Sequence, residues 1–80
     1  MIEGSGIWAV LNARSLCNKL DDLSLFLSEQ NIDICCVTET RFNSNVPDSL
    51  ICPKGYAVFR YDRSTPGGGV AIFQSINQSL

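Results

Sequence analysis

Apolar positions along the chain repeat with two different periods. Residues 7–12, IWAVLN, are a short and nearly continuous apolar run that ends on Asn12, the pattern of a buried strand. Leu16, Leu20, Leu23 and Leu27 then recur at spacings of four, three and four, with Phe26 beside them. That spacing puts them on one face of a helix, and such a stripe is core packing. Ser15 or Asn18 is placed to cap this helix, and Asp21 and Asp22 fall in its first turn, where the helix dipole favours negative charge. Gln30-Asn31 is the expected stop, because Asn tolerates the left-handed conformation at a helix end. A second apolar run begins at once with IDICCVTETRF, residues 32–42. It emerges on a lone carboxylate, Glu39, held between Thr38 and Thr40.

Strand, amphipathic helix and strand within about 30 residues make a βαβ unit, with parallel strands and a right-handed crossover. Both strands are almost wholly apolar, as parallel strands covered on both faces are. Residues 43–55 read as loop, closing on the turn CPKG. Residues 56–62, YAVFRYD, alternate as a strand, and GVAIF at 69–73 is another. The breaker-rich RSTPGG between them makes the pair a hairpin with a long loop. The tail, QSINQSL, is polar and takes no assignment. The fold class is α/β, a βαβ unit followed by a β-hairpin.

Length and charge narrow the field. Eighty residues allow one small domain, in which only about 60% of the unfolded chain's surface becomes buried. Six basic against eight acidic residues give a net charge of −2, without the basic footprint of a stand-alone nucleic-acid binder. No apolar run is long enough to span a membrane. The opening MIEGSG has no basic segment followed by an apolar one, so no secretory signal is expected. The glycosylation triplet Asn77-Gln78-Ser79 is then a chance match.

Four cysteines are present: Cys17, Cys35, Cys36 and Cys52. Cys35 and Cys36 are adjacent on a strand and face opposite sides, so they cannot reach one partner. With no histidine and no C-x-x-C pair, a zinc site would need all four scattered thiols. They read instead as buried free thiols acting as small hydrophobes, in a reducing intracellular compartment.

PGGGV suggests a phosphate loop, but such a loop needs Gly-Lys-Ser/Thr opening a helix. Here the glycines open a strand, which suits a tight turn or a close backbone approach. The strand ends carry more chemistry. Both strands of a βαβ unit finish at the carboxyl edge of the sheet, where ligands of open α/β sheets bind. Asn12 ends the first and Glu39 the second, so an amide and a carboxylate converge if the strands are neighbours. A carboxylate suits Mg²⁺, and an amide can bond a phosphate oxygen or orient a catalytic group. Two readings of Glu39 are open on spacing alone: a solvated strand end, or a ligand on a rigid scaffold.

Taken together, LNARSLCNKLDDL, IDICCVTETRF and GYAVFRYDR…GGGVAIF resemble the opening of the endonuclease/exonuclease/phosphatase family. The nearest branch is the endonuclease domain of non-LTR (LINE-type) retrotransposons, and the match covers about residues 7–73 of a single partial domain, 1–80. The resemblance implies a two-sheet α/β sandwich of which this chain is the N-terminal portion. It implies metal-dependent cleavage of phosphodiester bonds, with Mg²⁺ or Mn²⁺ as cofactor and DNA as the partner of the full-length protein, which would act in the nucleus. Glu39 is then a metal ligand and catalytic residue. Asn12 is a catalytic amide that helps hold phosphate. The residue two beyond that Asn, often acidic in DNA-repair relatives, is Arg14 here, as in many retrotransposon relatives. Arg14 and Arg41 are thereby assigned to nucleic-acid contact, with solvated surface charge as the plain alternative; Arg60 and Arg63 read as surface charges.

The resemblance also implies what is missing. The family's general base is an Asp–His pair near the end of a much longer domain, with further Asp and Asn residues between, and this sequence contains no histidine. The isolated chain is expected to be an inactive fragment of a DNA-nicking enzyme. One helix cannot cover both faces of a sheet, so the uncovered surface is expected to associate or aggregate. Alternative functions are a non-catalytic interaction module that pairs through its open sheet, and an unrelated small α/β domain.

Overall fold

The computed structural model describes residues 6–63 and 68–76. The opening segment, the centre of the PGGG turn and the Asn77 triplet lie outside the described residues. The chain runs as β1 (Trp8–Asn12), a single 3-10 turn (Cys17–Lys19), α1 (Leu20–Glu29), β2 (Ile34–Thr38), α2 (Asp48–Ile51), β3 (Tyr56–Tyr61) and β4 (Val70–Ser75). The strands form one mixed sheet in the order β1-β2-β4-β3. β1 and β2 are parallel and in register from Trp8–Ile34 to Asn12–Thr38. β4 lies antiparallel between β2 and β3.

The βαβ unit and the hairpin are therefore present, in a small α/β unit. Leu16, Leu23 and Leu27 are buried, with Leu20 and Phe26 packed against the same core. They cover the inner face of the sheet, where Cys35, Val37, Ala71 and Phe73 are inaccessible to solvent. Burial of the larger of these side chains, Leu27, Val37 and Phe73, contributes about 1.5–3 kcal/mol each of transfer free energy. Asp21 and Asp22 sit in the first turn, and Asn31 takes φ +54° just past the end of α1. The Tyr56 hydroxyl faces the carbonyls of Leu27 and Ile32, at 3.1 and 2.5 Å, and so ties β3 to the α1–β2 turn.

Several expectations need correction. Neither Ser15 nor Asn18 caps α1: the chain enters the helix through the 3-10 turn, Lys19 stands at the N-cap position, and no side chain caps the helix. The Lys19 ammonium instead donates to the Ala13 carbonyl at 2.6 Å, which fixes the turn out of β1. The loop at 43–55 contains α2, a single turn whose Ile51 is buried. Of the four free thiols only Cys35 is buried; Cys17 is exposed and the other two are intermediate.

The outer face of the sheet is bare. Registers across the sheet align three rows on it: Trp8–Ile34–Gln74–Ala57, Val10–Cys36–Ile72–Phe59 and Asn12–Thr38–Val70–Tyr61. None of these residues is charged, and Trp8, Val10, Phe59, Ile72 and Tyr61 are exposed. Among the described residues β1 and β2 are thus covered on one face only.

Candidate functional site

Asn12 and Glu39 meet at the carboxyl edge of the parallel pair. Asn12 Nδ2 donates to Glu39 Oε2 at 3.0 Å. The contact follows from the ladder: Asn12 pairs with Thr38, so the residue after Thr38 emerges beside the amide. The ladder hydrogen bonds continue past both strand ends. Ser15 N–H donates to the Glu39 carbonyl at 2.7 Å, and Leu16 N–H to that of Thr40 at 2.9 Å. On the other side Glu39 N–H donates to the Gly69 carbonyl and Arg41 N–H to that of Gly68, both at 2.8 Å. Glu39 is therefore held between two backbone segments rather than on a free strand end.

This edge is also where strain collects. Arg14, Ser15, Glu39 and Arg41 have φ of +51°, +91°, +56° and +59°. Left-handed backbone at non-glycine residues costs about 1–3 kcal/mol each and persists only where the surroundings over-determine it. Thr40 between the two strained residues is fully buried, and its hydroxyl has no hydrogen-bond partner among the described residues.

The Arg41 guanidinium lies 3.9 Å from Glu39 Oε1, with both side chains about half exposed (49% and 41%). Such a pair contributes little, about 0–1 kcal/mol, so the guanidinium remains available to an anion. Arg14 is exposed at the same edge. Beside Glu39 opens a cleft of about 370 Å³ whose walls include Tyr61, Arg63, Gly68 and Gly69. From its sequence position alone Arg63 reads as an ordinary surface charge. Its signal was the position of Asp62-Arg63 at the end of β3, next to the strand that abuts β2.

Arg60 is not a surface charge. Its side chain is 13% exposed and bonds both carboxylates flanking it, Asp62 at 2.7 Å and Asp48 at 3.0 Å. It also donates to the carbonyls of Val46 and Asn43 and stacks 5.3 Å over the Phe42 ring. Bonding to Asp62, outweighing burial, holds its pKa above the ordinary guanidinium value. Arg60 thus clamps the segment between β2 and α2 onto β3.

Among the described residues no three His, Cys, Asp or Glu side chains gather into a metal site. A hard cation that keeps most of its waters needs only one or two protein carboxylates plus substrate phosphate. Glu39, accessible and oriented by Asn12, fits that limited role.

This small α/β unit with its four-stranded mixed sheet matches part of the fold of an AP endonuclease. The chain is similar to the solved structure of an AP endonuclease from Archaeoglobus fulgidus, at 29% identity and a TM-score of 0.69, over 81% of this chain and 25% of that one. It is also similar to the AP endonuclease LMAP from Leishmania major, at 18% identity and a TM-score of 0.70, over 85% of this chain and 23% of that one. The chain therefore spans about a quarter of the length of the structures it matches. No family model matches it, and no curated protein does.

Proposed function

We propose that this chain is the N-terminal part of a Mg²⁺-dependent DNA endonuclease of the endonuclease/exonuclease/phosphatase family, in its LINE-type retrotransposon branch. The observation that carries the reading is the 3.0 Å bond from Asn12 to Glu39, at the open edge of a sheet similar to that of an AP endonuclease. In this reading Glu39 binds the cation, and Asn12 fixes the carboxylate through Nδ2. Arg41, Arg14 and Arg63 surround the edge with three cations that suit a DNA backbone. The bound ion would stabilise charge developing on the phosphate. The intact protein acts on nuclear DNA, and its thiols stay reduced. These 80 residues hold no histidine for the general base, so the isolated chain binds the ion without cleaving DNA.

The test is a Mg²⁺ and Mn²⁺ titration of the isotopically labelled chain by amide NMR, with Glu39→Gln alongside. Shifts or line broadening confined to residues around Asn12, Glu39 and Gly69, and lost in the variant, support the reading. A chain that folds and is blind to both ions removes it. Robust metal-dependent nicking of supercoiled DNA by the pure chain would remove the claim of inactivity.

A further inference from the structure

We propose that the glycine pair at the entry to β4 is a positioning device with two separate outputs. Gly69 seats the turn that presents Glu39 to a cation, and Gly68 seats Arg63 where it meets the phosphate of a phosphodiester. The inference rests on the reading of Glu39 as a cation ligand, and it gives the PGGG turn a role there. Both seats are contacts within this chain, so neither depends on what packs against the outer face of the sheet.

The two glycines share a backbone conformation but not their neighbours. Gly68 and Gly69 have φ +79° and +90°. Their carbonyls accept from the N–H groups of Arg41 and Glu39, at 2.8 Å each, which extends the β2–β4 ladder past Val70. A side chain on Gly69 would meet the Thr40 hydroxyl; one on Gly68 would meet the Arg63 side chain at Cγ and Cδ. Glycine therefore serves close approach at both positions, as well as the positive φ.

The two neighbours lead to two parts of one cleft. Thr40 is fully buried between Glu39 and Arg41, which have φ +56° and +59°. A strained turn persists only where its surroundings hold it. Here Gly68 and Gly69 hold it on one side, and the Ser15 and Leu16 N–H groups on the other. Displacing Thr40 from Gly69 would carry Glu39 with it and disturb the 3.0 Å bond from Asn12. Arg63 follows β3 instead, and it borders the cleft beside Glu39 by lying across Gly68. Glu39 and Arg63 thus line the same cleft of about 370 Å³. A cation on the carboxylate and an anionic oxygen on the guanidinium can bind side by side there, which suits a metal-bound phosphodiester.

The test is NMR of the labelled chain, titrated with Mg²⁺ or Mn²⁺ and then, at saturating Mg²⁺, with a thymidine oligonucleotide. In the metal-free parent the Asn12 Nδ2 proton bonded to Glu39 is displaced from its geminal partner. Gly69→Ala collapses that difference and weakens the cation about tenfold, as loss of a group behind a metal ligand does. Gly68→Ala keeps the Asn12 signal and the cation affinity but weakens the oligonucleotide about threefold, within the range of one exposed ion pair. Arg63→Ala has the same effect, and Gly68→Ala adds nothing to it, as two residues acting through one contact require. Tyr56→Phe, at the opposite end of β3, changes none of these readings.

Equal losses of cation and oligonucleotide in both glycine variants overturn the proposal, since the pair would then only hold the fold. A Gly68→Ala chain that binds the oligonucleotide as the parent does also overturns it. If Gly69→Ala does not fold, adding Thr40→Ala makes room for the new methyl. That double variant must fold and regain the Asn12 signal; failure overturns the Gly69 seat. The Asn12 signal needs no ion, so it separates two failures. A parent that ignores both ions, while Gly69→Ala still loses the signal, removes the cation reading and leaves the seat standing. An unchanged signal in a folded Gly69→Ala chain overturns the seat whatever the ions do.

Discussion

A Cβ placed on Gly69 would stand 2.7 Å from the Thr40 hydroxyl oxygen, closer than real side chains approach. Gly69 also has φ +90°, where an L side chain is strained whatever the space. The two residues lock β4 to the turn that carries Glu39. Gly69→Ala is therefore expected to destabilise the fold by about 2–4 kcal/mol, through strain and a clash with a buried group. Urea denaturation measures this; a loss below about 0.5 kcal/mol would mean that the close approach is not under constraint.

Thr40 itself carries a removable penalty. Its hydroxyl is buried and unbonded, and an unsatisfied polar group costs about 1–3 kcal/mol. Thr40→Val keeps the branched shape and discards that group. Stability should rise by about 1 kcal/mol in the same assay. A clear loss would reveal that the hydroxyl has a partner in solution.

Arg60 divides charge from geometry. Arg60→Ala leaves Asp62 beside a vacated pocket and frees the Phe42 segment, a loss of about 2–4 kcal/mol. Arg60→Lys keeps the charge but not the planar fork that reaches two carboxylates and two carbonyls at once, and should fall between the alanine variant and the parent. Equal stability of Lys and Arg would show that charge alone matters.

Alkaline pH should unfold the protein. Burial, and then the neighbouring Cys36, raises the pKa of the Cys35 thiol above its ordinary 9.0. Burial raises the Tyr56 phenol above its ordinary 10.0, with Asp33 and Cys35 adding to it. The folded state holds both protons more tightly than the unfolded chain, so their stabilisation is complete below pH 9 and declines as the pH rises beyond it. The urea midpoint should be flat near neutrality and drop above that value. Tyr56→Phe should lower the stability at neutral pH by about 1 kcal/mol and make the alkaline decline shallower. A midpoint that climbs with alkali would contradict both shifts.

Much of the architecture was legible in the chain. The leucine spacing identified α1, the two apolar runs identified β1 and β2, and Asn31 marked the helix end, since each depends on local periodicity or local backbone conformation. The Asn12–Glu39 meeting was legible because parallel register fixes which residues share an edge. Strand order was not: β4 rather than β3 pairs with β2, and nothing local tells one strand which of two others will bond its edge. α2 was missed because one turn is too short to show a period. Arg60 was misread although its parity with Tyr56 and Val58 put it on the inner face. Charge on a strand ordinarily means solvent; of the two carboxylates that permit its burial, Asp62 is two residues away, but Asp48 lies in a separate element.

The placement of β4 sets the pace at which this molecule can form. Parallel β1–β2 pairing requires α1 to cross over first, and the centre of the sheet closes only when Val70 reaches Thr38 and Gln74 reaches Ile34. These are non-local contacts, and folding slows as the sequence separation of contacting residues grows. At about 5–20 residues per second of synthesis, β2 waits several seconds with one edge open. For that interval Cys36 and Val37 belong to an apolar strand that is paired on one edge only. The nascent chain is most exposed to mispairing just before β4 arrives, and a chaperone that shields residues 34–38 would act in that window.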